Sequence, residues 1–160
     1  MPVLNDLILD NLPYFRTGIV FDISVTLITI IFIIYAFKHR LNHVSYYLLI
    51  FGFLYTIRSF FIIITPFGNP SSLEDFNGFY RGKLFDKGVF PSGHTGSGFM
   101  AFLLSSGVYK KIIFLLLIIT VIFLFFGRGH YSFDILAAIL FSYALYSFCE
   151  KYLKNKFVLR

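Results

Sequence analysis

Residues 112–126, IIFLLLIITVIFLFF, form the most apolar stretch of the chain and decide its class. The chain has 160 residues, of which 58% are hydrophobic and only 14% are charged. Soluble domains contain about 45–50% apolar and about 25% charged residues. The composition therefore predicts an integral membrane protein rather than a soluble one.

Four further segments are apolar enough to cross a bilayer, which takes about 20 mostly apolar residues. These segments are 17–37, 46–65, 93–109 and 131–149. Together with the first stretch they predict an all-α bundle of about five transmembrane helices, in a single domain over residues 1–160. Only Lys110 and Lys111 separate segment 93–109 from segment 112–126, so we expect a tight helical hairpin at these lysines.

The N-terminal stretch 3–15, VLNDLILDNLPYF, alternates apolar and acidic residues at roughly helical spacing. It is too short to span a bilayer, so we predict an amphipathic helix that lies in the membrane interface. Its first residues lack a basic region and carry Asp6 and Asp10, so no removable signal peptide is expected.

Lysine and arginine residues cluster at one end of the predicted helices. That end carries Lys38, Arg40, Lys110, Lys111, Lys151, Lys154, Lys156 and Arg160. Since such residues favour the cytoplasmic side, we assign this end to the cytoplasm. The N-terminus, the loop 66–92 and the turn 127–130 then lie on the non-cytoplasmic face.

Two polar stretches interrupt the apolar chain at this non-cytoplasmic face: FPSGHTGSGF at 90–99 and GRGHYSFD at 127–134. In the second stretch, His130 precedes Asp134 by four residues, which places both side chains on one helix face. A carboxylate beside one imidazole nitrogen fixes the tautomer and leaves the other nitrogen as a base or nucleophile. The alternative is an interfacial histidine beside an aspartate that only favours the helix dipole. A carboxylate within the membrane indicates function by default.

In the first stretch, PSGHT at 91–95 is suited to a helix N-terminus that binds an anion. Ser92 can cap the helix, Gly93 lets a ligand approach the backbone, and His94 can donate a proton to a leaving oxygen. The small residues can equally serve helix packing alone.

Several basic residues could bind the same anion, because guanidinium groups match phosphate geometry. They are Arg58, Arg81, Lys83, Lys87 and Arg128. Arg58 could instead extend to the membrane interface, and Lys83 and Lys87 could be ordinary solvated charges. Asp22, within the first predicted helix, could contact the site or reach the headgroup region.

The order and spacing of PSGHT and GRGHYSFDI resemble the type-2 phosphatidic acid phosphatase superfamily of membrane lipid phosphatases and phosphotransferases. The block His130-Tyr131-Ser132-Phe133-Asp134-Ile135 is more similar to the sphingomyelin synthase and inositol-phosphorylceramide synthase branch. Leu124 stands where the phosphatases usually carry an arginine, and Ser59 follows Arg58 where they carry a proline. Pro91, by contrast, is phosphatase-like. Members of the family have six spans, one more than the five counted here, and we expect residues 3–15 to take the place of the missing first span at the membrane surface.

The resemblance implies that His130 attacks phosphorus to give a phosphohistidine, that Asp134 orients His130, and that His94 protonates the leaving oxygen. It implies that Arg128 and the backbone of Ser92, Gly93 and Thr95 hold the phosphate, with Arg58, Arg81, Lys83 and Lys87 as further candidates. No metal or other cofactor is implied.

The expected substrate is a phosphorylated membrane lipid, with no nucleic-acid partner, and the oligomeric state is left open. With water as acceptor the reaction is a metal-independent hydrolysis of a lipid phosphate or diphosphate. With a lipid alcohol as acceptor it is a headgroup transfer. A lipid-binding scaffold without activity and a small transporter or channel subunit are the alternatives from other classes.

Overall fold

The computed structural model describes residues 4–65, 68, 70 and 90–158. Within these residues the chain is all-helical, and its helices are α1 (Leu7–Asn11), α2 (Gly18–His39), α3 (Val44–Ile64), α4 (Gly93–Leu104), α5 (Gly107–Phe126), α6 (Ser132–Tyr152) and α7 (Lys154–Phe157). A single 3₁₀ turn, Leu41–His43, joins α2 to α3.

Four helical segments of the described chain are long and apolar enough to cross a membrane: Gly18–His39, Leu41–Ile64, Gly107–Phe126 and Ser132–Tyr152. They leave many large apolar side chains on the outside of the bundle, including Leu48 at 70% and Ile63 at 76% exposure. Such a surface suits hydrocarbon and not water. The chain is therefore a multi-pass membrane protein, and the predicted all-α bundle is confirmed for four spans.

The remaining predicted span is shorter than expected. Helix α4 has 12 residues, about 18 Å at 1.5 Å per residue, whereas a bilayer core is about 30 Å thick. It lies at the centre of the bundle and packs against α2, α3, α5 and α6. Its glycines allow this close packing, because a Cβ on Gly98 would lie 3.0 Å from Leu117.

The predicted hairpin at Lys110 and Lys111 is wrong in position. The chain reverses at Ser105–Ser106, where both residues are extended, and Gly107 begins α5 with a φ of +60°. Since lysine is a good helix former and its long stem can reach polar surroundings, both lysines lie inside the first turns of α5. Lys110 places its ammonium 4.6 Å from the centre of the Phe102 ring.

The N-terminal helix is also shorter than the predicted 3–15. It begins after Asp6, whose side chain caps it, and ends at Asn11. Leu12 is extended, because the residue before a proline is disfavoured in the helical region, and Pro13 follows it. Leu9 is buried, but Leu7 is 84% exposed.

Candidate active site

The two polar stretches meet at one end of the bundle, where α2, α4 and α6 begin and α3 and α5 end. The backbone N–H of Ser92 donates a hydrogen bond to the carbonyl of Asp134 at 3.2 Å. The rings of His94 and His130 lie 5.7 Å apart, centre to centre, in an edge-to-face arrangement. The structure therefore brings the two histidines of the sequence motifs to a single site.

His130 and Asp134 form the first imidazole–carboxylate pair. His130 Nδ1 lies 3.4 Å from Asp134 Oδ2, and the same oxygen accepts a hydrogen bond from the backbone N–H of Tyr131 at 3.0 Å. Asp134 is fully buried and His130 is only 5% exposed. Since Nδ1 faces the carboxylate, Nε2 is the nitrogen left to face a reactant.

Burial lowers the pKa of His130 to about 4, below its ordinary 6.5, because a charged imidazole loses its hydration there. Asp134 opposes this shift by hydrogen bonding and charge, while the nearby positive charge of Arg58 and the neighbouring His94 add to it. His130 is therefore neutral at physiological pH, with a lone pair on one ring nitrogen.

Asp22 and His94 form a second imidazole–carboxylate pair. His94 Nε2 lies 3.0 Å from Asp22 Oδ1, and the Asp22 side chain is 1% exposed against 24% for His94. The edge of the Phe21 ring packs on the imidazole at 5.2 Å between ring centres. The sequence left the role of Asp22 open, and the structure shows that it contacts the site.

Ser92 caps the N-terminus of α4, as the sequence predicts. The Ser92 hydroxyl accepts the backbone N–H of Thr95 at 3.3 Å and lies 3.1 Å from the Thr95 hydroxyl. Ser92 and Thr95 are both buried. Their backbone N–H groups are thus engaged within the protein, so these two predicted phosphate ligands hold the helix start in place. The N–H groups of Gly93 and His94, in the same first turn, remain directed along the helix axis.

Arg58 packs directly on this helix start. Its Nε donates to the carbonyl of Pro91 at 3.1 Å. A Cβ on Gly93 would lie 3.0 Å from Arg58 Nε and 3.2 Å from Cζ. Gly93 therefore makes room for the guanidinium, and Arg58 lies beside the start of α4.

Arg128 is directed elsewhere. It takes a left-handed conformation with φ 47°, and its Nη2 donates to the carbonyl of Leu9 at 3.3 Å. Its role as a phosphate ligand stays a prediction. Arg128 instead fastens the N-terminal segment to the His130 turn.

Two further side chains, Asp6 and Tyr131, join the N-terminal segment to this turn. The Asp6 carboxylate caps α1 by accepting from the N–H groups of Ile8 and Leu9, and it also accepts the N–H of Ser132 at 2.6 Å. Burial alone would raise the pKa of Asp6, but the hydrogen bonds from Ser132, Leu9 and Ile8 lower it overall.

Tyr131 completes these contacts, because its hydroxyl accepts from the Leu4 N–H at 3.0 Å and donates to the Gly68 carbonyl at 3.1 Å. Tyr131 is buried, at 1% exposure. Asp6 is not among the predicted site residues, although an aspartate directly before an apolar helical run is a recognisable N-cap signal.

The site is recessed below the ends of the long helices. Asp22 follows the first residue of α2 by four positions, and Arg58 precedes the last residue of α3 by six. These positions correspond to depths of about 6 and 9 Å at 1.5 Å per residue. Helix α4 starts at this depth, which explains why it is short.

Three predicted phosphate ligands, Arg81, Lys83 and Lys87, lie outside the described residues. Within the described residues, no group of three or more His, Cys, Asp or Glu side chains is arranged to hold a metal ion. The expectation of a metal-independent site stays a prediction.

Comparison of the chain with known protein families, with curated proteins and with solved structures finds no match. The function has therefore to be inferred from the site itself and from the two motifs that form it.

Proposed function

We propose that the chain is a metal-independent integral membrane phosphatase that hydrolyses a lipid phosphate or diphosphate through a phosphohistidine. The observation that carries this proposal is the pair of facing imidazoles, 5.7 Å apart, each with its own buried carboxylate. A nucleophile and a proton donor that act on one phosphorus atom have to lie at the same site, and these two imidazoles do. The resemblance of both motifs to the type-2 phosphatidic acid phosphatase superfamily supports it.

In the first step Nε2 of His130 attacks phosphorus, and the bond from phosphorus to the lipid oxygen breaks. The proton stays on Nδ1 and is hydrogen-bonded to the Asp134 carboxylate, which stabilises the positive charge that the imidazole gains. Low solvent exposure of His130 keeps its lone pair free of a proton at neutral pH. The products of this step are a phosphohistidine and a lipid oxygen that needs a proton.

His94 supplies that proton. With Nε2 donating to Asp22, the proton on Nδ1 of a charged imidazole goes to the leaving oxygen. In the second step the neutral His94 takes a proton from water, whose oxygen attacks phosphorus and breaks the bond to His130. Phosphate leaves, and both histidines return to their starting states.

The developing charge on the phosphate oxygens needs donors that are already in place. Arg58 and the N–H groups of Gly93 and His94 meet this need, and the positive end of the α4 dipole adds to it. Arg81, Lys83 and Lys87 remain candidate donors from the loop. Arg128 contributes by holding the turn that carries His130.

The membrane arrangement belongs to the same proposal. We take α4 as the fifth, shortened crossing of the bilayer and α1 as a segment at the interface. The lysine-rich ends then face the cytoplasm, and the site faces the other side.

The proposal is tested by phosphate release from lipid phosphates in mixed micelles without added metal, comparing the wild type with His130→Ala and with Cys149→Ala as a control outside the site. We expect release by the wild type and the control and none by His130→Ala. Release that persists in His130→Ala would reject the nucleophile. Headgroup transfer between two lipids without release would favour the phosphotransferase, and neither activity would favour the scaffold.

A further inference from the structure

An apolar cavity of about 260 Å³ lies between α2, α3 and α4. Its walls are almost entirely apolar, and its residues are Ile28, Thr29, Phe32, Ile33, Ala36, Phe37, Val44, Tyr47, Leu48, Phe51, Tyr55, Ser97 and Ala101. The cavity follows α3 from Val44 to Tyr55, which is about 16 Å at 1.5 Å per residue. It is a groove that runs along the bundle and not across it.

One end of the groove, called its upper end, lies close to the candidate active site along each of the three helices. Ser97 lies one helical turn below His94 on α4, and Tyr55 lies one turn below Arg58 on α3. On α2, Thr29 lies two turns below Asp22 on the same face. Asp22, Arg58 and His94 therefore lie one or two helical turns beyond this end of the groove.

The lower part of the groove is closed towards the centre of the bundle and open towards the surrounding lipid. Phe32 packs against Tyr47 and Phe51, with ring centres 5.3 and 5.6 Å apart, and forms the inner wall. Ala36 contributes little volume at the lower end, which leaves space there. Ile33 and Leu48, at 49% and 70% exposure, form the outer edges, so the groove opens sideways to the bilayer.

We infer that this groove is a substrate subsite that takes one hydrocarbon chain of the phosphorylated lipid. The inference rests on the proposed function and adds to it the place and direction of the lipid tail. The charged and imidazole groups of the site lie beyond one end of the groove and its walls are almost entirely apolar, which matches a molecule with a phosphate at one end and a chain at the other. The lateral opening lets the chain enter without leaving the hydrocarbon layer.

The groove selects the chain by shape and not by hydrophobicity, because the surrounding lipid is as apolar as the walls. Its contribution is to set the position of the phosphate against His130 and His94. A misplacement of about 1 Å at a reacting atom can cost about a hundredfold in rate. A chain that cannot fill the groove should therefore lower turnover and not only binding.

A photo-reactive hexadecyl phosphate with a diazirine at the far end of its chain tests the subsite directly, on the full chain in liposomes. We expect labelling of the lower groove, at Phe37, Val44 and Leu48, that unlabelled hexadecyl phosphate suppresses. The outer face of α5, at Ile118 and Ile122, should be labelled weakly and without competition. Equal, uncompeted labelling of both faces would overturn the inference.

Filling the groove provides the second test. Ala36→Phe should lower the kcat/KM ratio of hexadecyl phosphate to butyl phosphate by at least about tenfold. Ala144→Phe, on the exposed side of α6, is the matched control and should leave the ratio unchanged. Because Ala36 is buried, Ile33→Trp on the exposed edge is a second variant that should act in the same direction. An unchanged ratio in both groove variants would overturn the subsite.

The two proposals fail in different ways. If the wild type releases phosphate from neither compound, the proposed hydrolysis fails, while the labelling pattern still decides the subsite. If hydrolysis depends on His130 but neither labelling nor chain preference follows the groove, only the subsite fails.

Discussion

The Nε2 atom of His94 lies 3.0 Å from the Oδ1 atom of Asp22, on a different helix and 72 positions away in sequence. Each histidine of the site is thus oriented by a carboxylate, but the two carboxylates have different origins. Asp134 is local, one turn after His130, whereas Asp22 depends on the packing of α2 against α4. His94, the proposed proton donor, is therefore placed by the tertiary fold.

Asp22→Asn should lower kcat by about a hundredfold, the usual range for a disturbed general acid or base, with little change in KM. The amide keeps the shape of the side chain but no longer stabilises a charged His94. Ser24→Ala, two residues further along α2 with a hydroxyl that donates to the Val20 carbonyl, should stay close to wild type. Steady-state kinetics on a lipid phosphate measure both variants. Equal kcat values in the two would contradict the role of Asp22.

The pH dependence should reflect the burial of His130. Because its pKa is lowered to about 4, the acid limb of kcat/KM should fall near this value and not near the ordinary 6.5. The unfolded chain takes up this proton at a higher pH than the folded chain does. His130 should therefore reduce the free energy of unfolding as the pH falls from about 6.5 towards 4. An acid limb close to 6.5 would contradict this assignment to His130.

Gly93→Ala should displace Arg58, since the added Cβ would lie 3.0 Å from Nε. The guanidinium is the end of a flexible side chain, so we expect a small effect on thermal stability. The same variant should lower kcat/KM about tenfold, which corresponds to a loss of about 1.4 kcal/mol of transition-state stabilisation. Gly52→Ala is the matched control, because nothing lies within 4 Å of a Cβ at that position. A stable Gly93→Ala variant with full activity would remove Arg58 from the site.

Asp6→Ala should destabilise the N-terminal segment and the start of α6 together. The loss of a side-chain cap costs about 1 kcal/mol, and Asp6 caps two helices, so we expect about 2 kcal/mol. Activity should fall as well, because Ser132 follows His130 by two residues. Asp10→Ala, at a neighbouring carboxylate that accepts the Asp6 N–H at 3.2 Å, is the comparison. Thermal unfolding in detergent measures the difference, and equal melting temperatures would contradict the double cap.

The sequence predicts the long apolar helices well, because their composition alone defines them. It places the reversal at Lys110 and Lys111 wrongly, because charged side chains do not by themselves end a helix. The signal lay in Ser105, Ser106 and Gly107, where the backbone conformation changes. Side-chain charge is a poor guide to a helix end when the side chain is long enough to reach polar surroundings.

The contacts within each motif could also be anticipated, since His130 and Asp134 are neighbours on one helix. The contacts between distant segments could not. Asp22 meets His94 only through the rotation and depth of α2 in the bundle, and Arg128 bonds to Leu9 only because the N-terminal segment folds back. Neither relationship leaves a periodic pattern in the sequence.

The recess of the site has a consequence for the membrane in which the protein works. When the hydrophobic length of the helices differs from the thickness of the bilayer, the helices tilt or the lipid deforms around them. With Asp22 and Arg58 about 6 and 9 Å below the helix ends, a thicker bilayer carries the headgroup plane away from the imidazoles and a thinner one carries it towards them. The rate of the proposed hydrolysis would thus depend on the thickness of the host bilayer, and the protein would be most active in membranes whose headgroups lie at the depth of the two imidazoles.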